Sequence, residues 1–353
     1  MSIIVDPQNA RALLVGTATY ISPELGDLPE TVTNVYELSD ALTGPDGVFD
    51  LAYVQRMVDP LNAQKVLDVL SEQGGRDVEL VLFYYSGHGL LGPNHSLCLG
   101  LPGSAPGDSS VQRTSLQAGE LFAAMKGVQA RYKVAILDCC FSGRAFDIPA
   151  SSDIHLLTAT DKTSKARSDR DRTAFTRELL YLLCKGIPDG PRYLDLTTIY
   201  RRLAIVLPTH LPKRFPTPSQ RSVNWTSDLC LARNVAHGTA RTRKGLRARA
   251  RFAEQVSSLR SRGPDPVKTA VELFEGIVAD AMLQFPADDD TVRFRHFHAS
   301  LVGRTGDTRR AIELFETLIR ERGNAVTPDA LLEPLQAGLD HWRRKDSSSS
   351  AGD

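Results

Sequence analysis

The chain has 353 residues, of which 42 are basic and 42 acidic, so its formal net charge is zero. This balance argues against capture of nucleic acid or of an anionic membrane by the chain as a whole, and no stretch approaches the roughly 20 apolar residues that cross a bilayer. The length predicts two domains.

The first two thirds of the chain alternates short apolar runs with amphipathic stretches, which predicts an α/β sheet. The predicted strands cover residues 12–15, 51–58, 78–85, 134–137, 154–157 and 229–231. The predicted helices cover residues 30–42, 60–73, 116–126, 173–183 and 196–207. The run from Val78 to Tyr85 is nearly all apolar, which is typical of a central parallel strand buried on both faces. We therefore assign residues 1–234 to one α/β domain.

The composition changes after about Asn234. Residues 235–266 are rich in arginine and poor in bulky apolar side chains, and we interpret them as a basic linker or a solvated helix. Self-processing within this stretch is the second interpretation. Nucleic-acid binding ranks last, because Phe252 is the single aromatic residue that interleaves with the charges.

Residues 267–345 have a purely helical pattern and are predicted to form a second domain. Predicted helices at 267–283 and 308–322 share a register at an offset of 41 residues, with small and aromatic positions at Ala270, Phe274, Ala311 and Phe315. This resembles the longer tetratricopeptide repeats, and an unrelated helical hairpin is the alternative. Stacked helices of this kind present a concave surface, so we expect them to bind a protein partner. The tail, residues 346–353, is predicted to be disordered.

The five cysteines are scattered, two are adjacent, and no C-x-x-C pair occurs. This pattern indicates neither a disulfide framework nor a zinc site. The N-terminal residues Met1–Pro7 are too short and uncharged for a secretory signal. We therefore expect a cytoplasmic protein in which a cysteine acts as a chemical reagent.

Two predicted strands end in unusual sequences. Ser86-Gly87-His88-Gly89 follows one, and Asp138-Cys139-Cys140 follows another. Reactive groups of an open parallel sheet gather beyond the carboxyl ends of its strands, so neighbouring strands would bring His88 and Cys140 to one cleft. A cysteine thiol is only slightly ionised at neutral pH, and a nearby imidazole promotes its thiolate and protonates a departing amine. The pair indicates acyl transfer by a cysteine nucleophile.

Tyr-Ser-Gly-His-Gly followed by Asp-Cys-Cys-Phe-Ser-Gly resembles the caspase/metacaspase superfamily, in its prokaryotic branch. The interval from His88 to Cys140 is 52 residues, close to the roughly 50 of caspases. The resemblance extends from about Arg11 to Asn234 and implies a mainly parallel sheet between two helical layers, a three-layer α/β/α fold. It includes the pair Phe175-Thr176, which opens a helix, and a final stretch around Trp225.

The resemblance implies a role for each matching residue. His88 is the general base and acid, Cys140 is the nucleophile, and the backbone amides of Gly89 and Cys140 form the oxyanion hole. Cys139 should point into packing, because adjacent side chains of an extended chain point in opposite directions.

Asp138 matches the metacaspase acid of the primary specificity pocket, and Ser86 lines the same pocket. An aspartate there favours a substrate with arginine or lysine at the cleavage site. Asn34 stands where metacaspases often carry a second pocket acid, which weakens the case for basic specificity without reversing it. No carboxylate cluster for calcium is evident, so no metal site or cofactor is predicted and calcium dependence stays open.

The sequence thus predicts a cysteine endopeptidase that cleaves proteins after basic residues, in a regulated pathway such as bacterial defence or cell death. Neither nucleic acid nor membrane is an expected partner. One alternative is a latent or inactive caspase homologue that acts as a scaffold through its C-terminal helices. Another is an asparaginyl or arginyl endopeptidase of the same structural clan. Residues 161–172 are interpreted as a solvated loop, or else as a site of self-cleavage.

Overall fold

The structure, a computed structural model, describes residues 2–160, 168–169, 172–209, 215–259, 265–323 and 331–349. Most of the 161–172 segment therefore lies outside the described residues. The chain divides into two compact units, Met1–Val235 and Ala236–Asp353, which are described separately. Across the described ranges, the helices lack the length and apolar composition that a membrane span requires.

The first unit is built on a mainly parallel sheet. Its strands, together with those of three smaller sheets, are β1 (Ala10–Gly16), β2 (Val54–Val58), β3 (Leu80–Ser86), β4 (Gly89–Leu91), β5 (Leu97–Leu99), β6 (Leu116–Gln117), β7 (Tyr132–Asp138), β8 (His155–Thr158), β9 (Ser168–Asp169), β10 (Arg172–Thr173), β11 (Tyr193–Asp195), β12 (Ser219–Arg221) and β13 (Cys230–Arg233). In the described residues the main sheet has six strands in the order β12-β8-β7-β3-β1-β2. Its strands run parallel, except that β12 is antiparallel to β8.

Helices cover both faces of this sheet. The helices of the first unit are α1 (Glu30–Thr43), α2 (Ala63–Ser71), α3 (Asp108–Thr114), α4 (Ala118–Gly127), α5 (Ala174–Lys185) and α6 (Leu196–Thr209). Alternate residues of β3 enter different cores, because successive strand side chains point to opposite faces. Leu82 and Tyr84 share a core with α1, α5 and α6, whereas Phe83 and Tyr85 share one with α2 and α4. The predicted three-layer α/β/α fold is confirmed.

Several strands differ from the sequence prediction, among them β12 and β13. The predicted strand at 229–231 does form, as β13, but it pairs with β11 in a separate two-stranded sheet. The edge strand β12 was not predicted, because Ser219-Gln220-Arg221 has no apolar residue that would mark a strand. It is held by its backbone pairing with β8.

The second unit is helical, with α7 (Arg243–Ser257), α8 (Pro266–Gln284), α9 (Asp289–Arg304), α10 (Thr308–Gly323) and α11 (Leu332–Ser349). Consecutive helices pack against one another. The four positions that share the 41-residue register are fully buried: Ala270, Phe274, Ala311 and Phe315. Helix α11 runs through Ser349, four residues into the segment predicted as disordered, and residues 350–353 lie outside the description.

Residues 235–266, predicted as a basic linker or a solvated helix, contain α7, which packs along α8. Thr242 caps this helix by accepting a hydrogen bond from Gly245 N–H at 3.1 Å. Four arginines of the segment form ion pairs with aspartates: Arg241 and Arg249 with Asp280, Arg243 with Asp288, and Arg247 with Asp290. The helix thus belongs to the second unit, and aspartates distant in sequence pair with three of its arginines.

Candidate functional site

The site lies where two neighbouring strands of the main sheet end. Strands β3 and β7 pair in parallel, and Ser86 stands opposite Asp138 at their carboxyl ends. His88 and Cys140 each follow two residues later, so the chain delivers both to the same edge of the sheet. Gly87 N–H donates to the Asp138 carbonyl at 3.5 Å, which ties the two turns together.

Gly89 brings the backbone of the first turn against that of Cys140. A Cβ atom at position 89 would lie 1.8 Å from the carbonyl oxygen of Cys140 and 3.1 Å from its nitrogen. No side chain fits in that space, so glycine is required by the close approach. The peptide groups of the two predicted oxyanion residues therefore lie side by side.

The imidazole of His88 is held from two sides. Its Nε2 lies 2.8 Å from the carbonyl oxygen of Gly26, and its ring centroid lies 4.7 Å from that of Tyr20. A carbonyl oxygen only accepts hydrogen bonds, so Nε2 carries the hydrogen in the neutral ring and Nδ1 is the basic nitrogen. The backbone of His88 is also fixed, because its N–H donates to the Tyr20 hydroxyl at 3.0 Å.

The two adjacent cysteines have different surroundings. Cys139 is fully buried in the core beneath α2 and α4. Burial raises the pKa of its thiol well above the usual value, and the neighbouring Cys140 and Asp138 raise the pKa further. Cys140 is half-buried. A thiol that must ionise and meet a substrate fits position 140 and does not fit position 139.

The turn after Cys140 has an unusual backbone. Phe141 adopts a left-handed conformation with φ of 57°, which costs a non-glycine residue roughly 1–2 kcal/mol. Such residues cluster at active sites and other functional positions. Here the bend at Phe141 ends the extended chain directly after Cys140.

The three predicted pocket residues join one buried hydrogen-bond network. Asn34 Nδ2 donates to Ser86 Oγ at 3.0 Å and to Thr173 Oγ1 at 2.9 Å. The hydroxyl of Thr173 in turn donates to Asp138 Oδ2, and Thr176 Oγ1 donates to the same oxygen at 2.6 Å. Asn34, Ser86 and Asp138 are at most 1% exposed. The structure thus brings these residues together, in a pocket that is closed to solvent.

Burial raises the pKa of Asp138 to about 6. The hydroxyl groups of Thr173 and Thr176 oppose this shift, and the charge of Glu30, a nearly buried residue at the start of α1, adds to it. The second carboxylate oxygen, Oδ1, is buried without a hydrogen-bond partner, and so is Oδ1 of Asn34. The network thus contains two acceptors that lack donors.

Sequence reasoning missed several residues that contact the predicted site. Tyr20 and Gly26 belong to a segment with no recognisable motif, and the contribution of Gly26 is a backbone carbonyl, which any residue type supplies. Thr173 and Thr176 surround Asp138, although Thr176 was noted only as part of a Phe-Thr pair that opens a helix. Their proximity follows from the packing of α5 beside α1.

Within the ranges that the structure describes, no group of three or more His, Cys, Asp or Glu side chains is arranged to hold a metal ion.

The fold and this edge of the sheet define an α/β/α protein with an imidazole and a thiol at the ends of adjacent parallel strands. Residues 9–226 match the sequence model of the caspase domain, a peptidase family. The chain therefore belongs to the caspase domain family. Its fold is that of a cysteine peptidase.

Two of the solved structures that align with this chain are caspases by their titles. The crystal structure of caspase-1 from Spodoptera frugiperda aligns with a TM-score of 0.47 and 14% identity, over 65% of this chain and 90% of that one. The structure titled pro-sf-caspase-1 aligns with a TM-score of 0.41 and 13% identity, over 64% of this chain and 90% of that one. No curated protein matches the sequence significantly.

Proposed function

We propose that this protein is a cysteine endopeptidase that cleaves proteins after arginine or lysine, with His88 and Cys140 as its catalytic dyad. One observation carries the proposal. The two residues follow adjacent parallel strands at the same register, and the Gly89 backbone packs directly against Cys140. This arrangement supports acyl transfer, because nucleophile, base and oxyanion donors gather at one edge of the sheet.

The reaction begins with transfer of the Cys140 thiol proton to Nδ1 of His88. The thiolate attacks the peptide carbonyl, and the amides of Gly89 and Cys140 donate to the oxyanion that forms. One such donor lowers the barrier by roughly 2.7–4 kcal/mol. The imidazolium then protonates the leaving amine, an acyl-enzyme results, and His88 activates the water that hydrolyses it. The Gly26 carbonyl accepts a hydrogen bond from Nε2–H throughout the reaction and stabilises the imidazolium cation.

The preference for a basic residue is supported by the buried acceptors. A guanidinium has five N–H donors and an ammonium has three, and Asp138 Oδ1 and Asn34 Oδ1 lack donors. A basic side chain would satisfy both oxygens and offset the charge of Asp138 at a buried position. Ser86 connects the two residues within the network, through its contact with Asn34.

The closed pocket also favours a second candidate, a latent homologue that acts as a scaffold. Asp138 is 1% exposed, and the cavity that it borders with Phe175 and Phe215 has a volume of about 10 Å³, room for about one water molecule. A substrate side chain can reach the carboxylate only after the residues that line this cavity move apart. A permanently closed pocket would leave the dyad without a substrate.

Substitution of the two cysteines tests the proposal. Cys140→Ala should abolish cleavage of a fluorogenic peptide that ends in arginine, whereas Cys139→Ala should largely preserve it. Equal loss in both variants would refute the dyad. An arginine chloromethyl ketone that labels Cys140, and that blocks its reaction with iodoacetamide, would exclude the permanently closed scaffold. The same peptide ending in aspartate or asparagine should remain uncut. This result would separate the proposed specificity from cleavage after aspartate and from that of an asparaginyl endopeptidase of the same structural clan.

The pathway and the role of the second unit are proposals of the same kind. We propose that the protease acts in the cytoplasm in a regulated bacterial defence or cell-death response, and that the tetratricopeptide-like helices α8–α11 bind a protein partner. Expression of the full chain in bacteria tests the response. Growth should stop on triggering with the intact protein and continue with Cys140→Ala. Arrest that is equal for both proteins would exclude proteolysis as its cause.

A further inference from the structure

The segment from Thr17 to Leu28, which we call the clamp loop, touches His88 on two sides. Near its start, the Tyr20 ring packs against the imidazole and the Tyr20 hydroxyl accepts from His88 N–H at 3.0 Å. Near its end, the Gly26 carbonyl lies 2.8 Å from Nε2. The orientation of the imidazole therefore depends on the distance between the two ends of this loop.

The carboxylate of Asp27 joins the two parts of the loop that contact His88. Asp27 Oδ1 accepts a hydrogen bond from the Tyr20 backbone N–H at 2.9 Å. Asp27 is the residue directly after Gly26, so the bond sets the position of the Gly26 carbonyl relative to the Tyr20 ring. A charged acceptor gives a stronger bond than a neutral one, which suits a link that must hold an exposed loop closed.

The base of the clamp loop is fixed independently. Asp59 Oδ1 accepts from the backbone N–H groups of Ala18 and Thr19 at 2.7 and 3.1 Å, and Leu28 N–H donates to the Ala18 carbonyl at 2.7 Å. Since these bonds anchor residues 18, 19 and 28, loss of the Asp27 bond would loosen only the part of the loop between them. That part includes Gly26.

We propose that Asp27 is a positioning residue for the catalytic base: it closes the clamp loop so that the Gly26 carbonyl holds the Nε2–H tautomer of His88 and leaves Nδ1 to face the nucleophile. The inference rests on the proposed function of His88. An exposed surface carboxylate outside both sequence motifs thereby controls which imidazole nitrogen carries the hydrogen.

Three variants of the full chain test this role. Asp27→Ala removes the acceptor, and Asp27→Asn keeps an oxygen that accepts from Tyr20 N–H. Asp6→Ala is the matched control, because Asp6 is also exposed and accepts from the backbone N–H two residues later, at 2.9 Å, beside the opposite end of β1. We expect Asp27→Ala to lower kcat roughly tenfold to a hundredfold with little change in KM. Asp27→Asn and Asp6→Ala should stay within about threefold of the unsubstituted enzyme, because neither changes the hold on His88.

Nitrogen-15 NMR of the His88 ring separates positioning from general stability. In the unsubstituted protein we expect one neutral tautomer, protonated at Nε2, and in Asp27→Ala a mixture of both tautomers. This measurement needs no turnover, so it also distinguishes failure of the inference from failure of the proposed peptidase activity. Unchanged tautomer populations in Asp27→Ala would overturn the inference, as would equal losses of kcat in Asp27→Ala and Asp6→Ala.

Discussion

Asp138 should make the first unit less stable at neutral pH than at mildly acidic pH. Its folded pKa of about 6 exceeds the ordinary value of 3.8, so the unfolded chain releases this proton more readily. Each unit of difference between the folded and unfolded pKa corresponds to roughly 1.4 kcal/mol, so the ionised carboxylate lowers the free energy of unfolding by about 3 kcal/mol above pH 7. The same relation gives about half that cost at pH 5. The stability loss therefore develops as the pH rises from about 4 to 6.

Asp138→Asn removes this titration and keeps an oxygen that accepts from Thr173 and Thr176. The free energy of unfolding of Asp138→Asn, minus that of the unsubstituted protein, should rise by about 1–2 kcal/mol between pH 5 and pH 8. A constant offset from the buried amide does not affect this change. Urea titrations followed by hydrogen exchange of peptides from β3 and β7 would measure the first unit alone.

The substitution should also raise KM for arginine peptides, because the pocket loses its charge. Stability and substrate binding would then change in opposite directions, as expected where a buried group is retained for function. A stability difference that stays constant from pH 5 to pH 8 would refute the assignment of a raised pKa to Asp138. Unchanged KM would remove Asp138 from the pocket.

Three further predictions concern close packing and burial. Gly89→Ala should abolish peptide cleavage and slow alkylation of Cys140, because the added Cβ would lie 1.8 Å from the Cys140 carbonyl oxygen. Gly303→Ala should lower the unfolding free energy of the second unit by about 1–3 kcal/mol, because its Cβ would lie 2.5 Å from the Trp342 ring. Burial lowers the pKa of His155 to about 4. The free energy of unfolding should therefore fall as the pH drops from about 6.5 to 4, because the unfolded chain binds this proton more readily. Thermal melts of His155→Asn should lack this loss, which is about 2 kcal/mol at pH 5.

Two glycines serve as matched controls for the packing predictions. A Cβ at Gly119 meets nothing within 4 Å, and one at Gly276 first meets a side chain at 3.5 Å. Both lie in helices, where alanine is favoured over glycine by up to about 1 kcal/mol. Gly119→Ala should therefore preserve activity, and Gly276→Ala should preserve or raise stability. If either control behaved like its test variant, the steric explanation would fail.

The elements that sequence predicted best are those with a strong apolar signal. Strands β1, β3 and β7 combine long apolar runs with burial on both faces, and the ends of β3 and β7 carry the motifs. Helix α7 was harder to predict, because the partners of its arginines lie in α8, α9 and the segment between them. A charge pattern read along one helix contains no information about such distant partners.

The residues of the candidate site also differ in how well the sequence predicts them. His88, Cys140 and Asp138 were identifiable because each lies in a motif at a strand end. The carbonyl of Gly26 and the hydroxyl of Thr173 were not identifiable, because their contributions arise from tertiary contacts between segments far apart in sequence. Residue type at these positions says little about the contact.

The ion pairs of α7 affect how an enzyme with the proposed specificity would survive its own activity. Peptidases cut segments that open locally, such as exposed loops, more readily than helices that are packed in place. Arg243 and Arg249 lie in a capped helix and contact Asp288 and Asp280 at 2.7 Å. An enzyme with the proposed specificity would therefore cut after Arg243 or Arg249 only once α7 has unfolded locally.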